Sequence, residues 1–364
     1  MLKESSKTDV LIIGGGLAGL SLAQHLAQAG VEFQLIEARD RFGGRIKTGH
    51  VDAGYYDLGP AWFWPGQPRM AAMAQNLGLT TFEQYASGAL CFEDEHGRVE
   101  RGRGFASMQG SLRVVGGLGG MIAELADKLP GDRLHLGTAA THIAQGAVKV
   151  ATPSDVRRIT AERIAVALPP RLAQHTIAFD PALDVQADQA MEKIPTWMAG
   201  QAKVVAVYDR PFWRESGLSG DAMSRRGPMV EIHDASPAQD GPYALFGFVG
   251  VPAQGRQDQE LLKMAAVEQL VRLFGQDAEQ PRDVFMKDWA FDGNTATNLD
   301  QAPVYAHPSY GLPAPLKAMQ KRGLFFCGTE VAPTFGGYLE GALEAAEIAA
   351  RGLIGRTTLD NVDT

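Results

Sequence analysis

Gly14, Gly16 and Gly19 form a GxGxxG run, and a single carboxylate, Glu37, follows roughly twenty residues later. That spacing suits the holding of a dinucleotide. The first glycine permits a tight turn, the second lets main chain approach a pyrophosphate, and the third lets a helix pack closely on the preceding strand; Ala18 belongs to the same turn. The carboxylate can then accept both ribose hydroxyls of an adenosine. Directly after Glu37 come Arg39, Arg41 and Gly43-Gly44-Arg45, which supply cations and bare main chain on the opposite side of the pyrophosphate. A nicotinamide dinucleotide needs no such second clamp, so the pattern favours FAD.

These residues require particular elements to position them. Residues 9–13 read as an apolar strand, 17–29 as a helix closed by Gly30, and 31–37 as a second strand, a βαβ unit that opens a doubly wound sheet. Residues 80–110 read as a hairpin-rich insert, 114–129 repeat the glycine-then-helix pattern, and 163–168 form a buried strand before Pro169-Pro170. From about 193 to 289 alternating strands dominate, among them 203–208 and 243–249, with one amphipathic helix over 259–274. Near the far end, 324–327 is a strand, 328–337 a loop and 339–353 an alanine-rich helix. The expected fold class is therefore mixed α/β. A Rossmann-like FAD-binding domain of residues 1–69, 110–192 and 290–364 is interleaved with a β-sheet-based substrate domain of residues 70–109 and 193–289.

The segments DVLIIGGGLAGLSLAQHLAQAG, IEARDRFGGR, YDLGPAW and FFCGTEVAPTFGGYLEGALEAAEIAA together resemble the flavin-containing amine oxidase family, monoamine oxidase-like members included. The resemblance spans nearly the whole chain. It implies non-covalent FAD held by Gly14, Gly16, Ala18, Gly19, Glu37, Arg39, Gly44 and Arg45, and by Gly59, Pro60, Ala61 and Trp62 of the third segment. Ala140 would lend main chain to adenine, Trp289 would stand near the flavin, and Gly328 and Glu330 would hold the ribitol region, with Tyr338 and Leu339 beside the ring. Lys203, in AKVVAVYDRPFW, falls where the family carries a lysine that bonds a water at flavin N5; Lys203 and Tyr338 are thus the implied catalytic residues. The implied reaction oxidises an amine to an imine by hydride transfer to N5, with O2 or another acceptor taking the electrons.

The chain departs from the family in three places. The region of the second aromatic wall and of the covalent flavin cysteine holds Thr297, Asn298 and Leu299, so covalent attachment is not expected and Phe291 or Phe335 has to replace the wall. Trp62 stands where L-amino-acid oxidases carry an arginine, leaving Arg69 or Arg103 as the candidate carboxylate clamps. Between Leu79 and Val115 the chain lacks the length for the family's helical lid, which predicts a more open cavity.

Bulk properties narrow the partners. A net charge of -8 with scattered basic pairs argues against nucleic acid, and no apolar run reaches bilayer length, so a cytoplasmic protein without membrane contact is expected. Cys91 and Cys327 lack disulfide or zinc spacing, and no metal is expected. His233 and His307 read as surface or hydrogen-bonded core. The rival readings are a desaturase or protoporphyrinogen-oxidase-like enzyme on the same scaffold, and a non-catalytic FAD-bound scaffold.

Overall fold

The computed structural model describes residues 5–239, 241–302, 304 and 306–360. Two sheets organise it. The first has eight strands, in the spatial order Ala178–Asp180, Ala139–Ala144, Ala147–Ala151, Val156–Val166, Ser5–Ile13, Phe33–Ile36 and Leu134–His135, with Leu324–Phe326 pairing alongside the end of Val156–Val166. Ser5–Ile13 lies parallel to both neighbours, Val10 opposite Phe33 on one side and Arg163 on the other. The helices Leu17–Gln28, Gly117–Asp127 and Leu339–Asp360 cover one face. Alanines 342, 346, 349 and 350 bury in that layer together with Leu20 and Leu22. Small side chains let the first and last helices approach closely, which brings the two ends of the chain to one place.

The second sheet has seven strands, ordered Asp283–Asp288, Ala202–Tyr208, Tyr243–Val249, Met229–Asp234, Leu218–Ser224, Ala89–Glu93 and Val99–Arg101. Its antiparallel pairs sort side chains onto two faces. Ala202, Val204, Ala206 and Tyr208 pack toward the helix Gln259–Phe274, while Val205 and Val207 pack toward Tyr56 and Leu58. Ala202–Tyr208 is buried along its whole length, in place of the half-exposed alternation expected from sequence, because both of its faces are covered.

Between Gly78 and Ser111 there is no helix, only short strands and a loop whose Phe105 is exposed. Among the described residues, no helix is long and apolar enough to cross a membrane.

Candidate active site

The nucleotide cradle is made mainly by main chain. Gly14 turns the chain at φ +108°, and a Cβ on Gly19 would fall 1.9 Å from the Gly14 carbonyl oxygen, so the helix Leu17–Gln28 can sit this close only with glycine there. No side chain caps that helix and no acidic residue lies in its first turn, which leaves its amides free for an anion. Gly43 N–H donates to the Gly15 carbonyl at 2.8 Å, folding the 41–46 loop over the turn. The Arg41 guanidinium braces the loop from within by donating to the carbonyls of Phe42, Gly44 and Ile46.

Glu37 is buried, and each of its oxygens accepts one main-chain N–H, from Gly15 at 2.8 Å and Arg39 at 2.9 Å. Each oxygen keeps a lone pair for a ribose hydroxyl. Thr138 N–H donates to the Glu37 carbonyl, which sets the strand carrying Ala140 beside this carboxylate. The Arg39 guanidinium is held by Asp292 at 2.6 Å and Thr295 at 2.9 Å, partners that sequence reasoning did not foresee because they lie some 250 positions away.

The segment Asp57-Leu58-Gly59 is the hub of the site. The buried Asp57 carboxylate accepts from Thr48 Oγ1 at 2.6 Å and from Leu118 N–H, in the first turn of the helix Gly117–Asp127. Burial pushes its pKa up, against the hydrogen bond from Thr48 and the charge of Arg113. Trp289 Nε1 donates to the Leu58 carbonyl at 3.0 Å, and Lys203 Nζ donates to the Gly59 carbonyl. A Cβ on Gly59 would lie 1.9 Å from the Arg45 carbonyl oxygen, so this contact between cradle and hub also needs glycine. The Lys203 ammonium lies over the rings of Phe246, Phe248 and Trp62, 4.6, 5.0 and 5.2 Å from their centroids. Burial lowers its pKa to about 7, with Asp57 raising it and Arg113 lowering it further. Lys203 is therefore buried rather than snorkelling to solvent.

Glu330 is fully buried. Arg45 Nη1 stands 2.6 Å from its Oε1, yet without hydrogen-bond alignment, and neither oxygen of Glu330 has a hydrogen-bond partner among the described residues. With Oε1 ion-paired to Arg45, Oε2 is left without any partner among the described residues, and beside Gly328 this carboxylate fits the hydroxyls of a ribitol chain. Together with the uncapped helix and the free lone pairs of Glu37, it makes the residues present a fit for FAD.

Tyr338 is partly exposed and opens the last helix, with its carbonyl fixed by Thr329 Oγ1 at 2.7 Å. Its ring stacks on His307, with centroids 4.9 Å apart at 13°, and His307 meets Trp197 and Tyr310 edge-on. His307 is thus the ring stacked directly on Tyr338; Phe291, one of the two candidates for the facing wall, is half exposed. Glu340 and Glu344 are structural: Glu340 accepts from the Arg69 and Met70 amides, and Glu344 from those of Thr334 and Phe335. Neither expected carboxylate clamp is free, since Arg69 is held by Glu340 and Glu347 and Arg103 by Glu100. Cys327 is buried, and burial pushes its thiol up to about 12.

The sequence pattern described as flavin containing amine oxidoreductase matches residues 17–104 and 84–354. The chain belongs to that family. Flavin amine oxidase B of Mus musculus is 24% identical over 96% of this chain and 86% of its own length. An L-amino acid dehydrogenase of Synechocystis is 22% identical over 98% and 96%. Among solved structures, putrescine oxidase bound to putrescine superposes with a TM-score of 0.80 at 22% identity, covering 97% of this chain and all of that one. Cyclohexylamine oxidase from Brevibacterium oxydans gives 0.79 at 20% identity, covering 96% and 99%. This flavin amine oxidase is thus an FAD-dependent oxidoreductase acting on amines, with the fold of those oxidases.

Proposed function

We propose that this amine oxidase takes a hydride from the carbon bearing nitrogen of a neutral amine, releases an imine that hydrolyses to an aldehyde or ketone, and passes the electrons to O2 or another acceptor. FAD, bound without a covalent link, supplies the hydride acceptor at N5. The observation that carries the reading is Lys203, a buried cation fixed by the Gly59 carbonyl within a wall of Trp62, Phe246 and Phe248. Its aromatic surround excludes water and holds the amine in its uncharged form, since a second cation beside the ammonium is repelled. The same ammonium stabilises negative charge developing on the ring next to it. Tyr338 and Leu339, at the start of the last helix, add the partial positive charge of unpaired amides and an aromatic guide for the amine. Glu330 and Arg45 orient the ribitol, while Gly14, Gly16, Ala18, Gly19, Gly44 and Arg39 surround the pyrophosphate. Glu37 and Ala140 take the adenosine. Gly59, Pro60, Ala61, Trp62, Trp289 and Gly328 border the ring and its chain. The FAD-binding unit comprises 1–69, 110–192 and 290–364, the substrate unit 70–109 and 193–289, and the enzyme works in the cytoplasm, which cell fractionation checks.

Anaerobic absorbance of the FAD-loaded enzyme against primary, secondary and cyclic amines tests the reading. Bleaching by an amine, with reoxidation slowed in Lys203→Met, supports it. Flavin that no amine bleaches overturns it in favour of carbon-chain oxidation or a scaffold role.

A further inference from the structure

The pairing that sets Phe248 beside Lys203 sets a second lysine on its other side. Lys203 stands in register opposite Lys287 of the strand Asp283–Asp288. Directly opposed residues of an antiparallel pair project from the same face, with β-carbons roughly 5 Å apart. Phe285, two residues before Lys287 and opposite Val205, meets Tyr56 on that face, so both lysines belong to the side of the sheet that carries the site. Two ammonium groups placed this way repel, the more so when buried.

Their side chains part. Lys203 Nζ donates to the Gly59 carbonyl among the rings of Trp62, Phe246 and Phe248. Lys287 Nζ instead donates to Asp292 Oδ2 at 2.6 Å and lies 4.5 Å from the centroid of the Trp289 ring. The other oxygen of that carboxylate accepts from Arg39 Nη2 at 2.6 Å, and Arg39 Nη1 stands 3.7 Å from Glu37 Oε1. The side chains of Lys287, Asp292 and Arg39 are 18, 13 and 12% exposed, so solvent screens little of this charge. Main chain fixes the turn that carries Asp292: its N–H donates to the Trp289 carbonyl at 3.1 Å, and its carbonyl accepts from Thr295 N–H at 2.8 Å.

The two lysines have different surroundings. Asp57 and Arg113 face Lys203. Around Lys287 stand Lys47, Arg39 and Arg41, with Asp40 at the surface, and Asp288, which Arg256 already holds at 3.0 Å. Without Asp292, Lys287 would be left among cations. Burial raises the pKa of Asp292, but the hydrogen bond from Lys287 and the charge of Arg39 outweigh it, and the carboxylate is held ionised.

We propose that Asp292 is a positioning residue for the chemistry at the flavin: it draws the Lys287 ammonium aside and compensates it, so that the charge offered to the ring is that of Lys203. This role rests on Lys203 standing beside flavin N5, as proposed above.

The test follows reoxidation of the FAD-loaded enzyme by O2 across pH after photochemical reduction, so that no amine enters it. In Asp292→Asn the Lys287 ammonium is uncompensated and disfavours a second ammonium at Lys203, which moves the pH at which the rate falls downward. One uncompensated charge at roughly 10 Å, in surroundings between protein and water, is worth about half a pH unit. Lys287→Met alone leaves the carboxylate in excess and moves that pH upward, which serves if Asp292→Asn loses flavin. The double variant lacks both charges and returns to the wild-type value. A turn merely loosened by loss of Asp292 would not be repaired by a substitution on the adjoining strand. Spectroelectrochemical titration of the bound flavin gives the second readout: a midpoint potential raised in Asp292→Asn, lowered in Lys287→Met and restored in the double variant. If Lys203→Met reoxidises like wild type, the reading of Lys203 fails, and opposite displacements of the potential in the two single variants leave the compensation of Lys287 standing. Profiles and potentials that coincide in wild type and both single variants, or a double variant displaced as far as Asp292→Asn, overturn the proposal.

Discussion

The cofactor cradle and the substrate face are built from different parts of the chain's chemistry. In the cradle the contacts are main-chain atoms at distances only glycine allows, as at Gly19 against Gly14 and Gly59 against Arg45. On the substrate face the contacts are side chains on a regular sheet, where Lys203, Phe246, His233 and Glu231 occupy register positions any residue could fill. Backbone geometry tolerates almost no substitution, whereas a sheet face changes its chemistry one side chain at a time without altering the fold. Binding of FAD and choice of amine are thereby separable.

The sharpest way to break that comparison is in the cradle. Gly19→Ala drives a methyl group to within 1.9 Å of the Gly14 oxygen, so the helix must move off the turn. Loss of bound flavin, read by absorbance of the purified protein, is expected to be complete. A variant that retained full flavin would show that the close approach is dispensable. On the substrate side, Lys203→Met should keep flavin and fold but slow reoxidation about a hundredfold, as removal of a buried electrostatic group does. The wild-type rate should fall as pH rises through a value at or above the pKa of about 7 that burial gives Lys203, because negative charge on a reduced ring can only raise it. Stopped-flow reoxidation across pH, flat in the variant, checks the sign.

Glu330→Gln probes the join between the two regions. A neutral amide can still meet a ribitol hydroxyl but leaves Arg45 without its counter-charge, 2.6 Å away. FAD affinity is expected to fall about tenfold, on the scale of one hydrogen bond to a charged group; flavin fluorescence on titration of apoprotein measures it. An unchanged affinity would place the ribitol elsewhere.

The same division explains what could be read from sequence. The cradle was legible because glycine spacing, the Glu37 carboxylate at a strand end and the closing loop are local in the chain, and their geometry follows from residue type. The positions of Lys203 and Trp289 relative to Gly59 came from resemblance, not from any local rule, since their hydrogen bonds span well over a hundred positions. What stayed hidden depended on register. His233 was read as a surface or hydrogen-bonded core residue, and it is indeed buried and hydrogen-bonded. Its place in line with Phe246 and Val205 follows only from strand pairing. His307 likewise becomes the partner of Tyr338 through a loop fold that no periodicity announces, whereas Phe291 and Phe335 were the aromatic residues nearest the expected wall.

The smallest expected effect concerns stability on the substrate face, and its sign is diagnostic. Burial depresses the pKa of His233, but its hydrogen bonds to Asp221 and Glu231, with the charges of both, outweigh it, and the net shift is upward. A histidine whose folded value lies above its unfolded value of about 6.5 stabilises the fold fully below that pH and loses the contribution as pH rises through the folded value. Tm of the FAD-loaded enzyme should therefore decline by a few degrees on raising pH through this window. In His233→Gln the part of the decline due to the imidazole should vanish, because the amide nitrogen can donate to one of the carboxylates but does not titrate. If wild type and variant instead lost stability in parallel, the pH dependence would belong to another group, and the imidazolium would not be what holds Asp221 and Glu231 together.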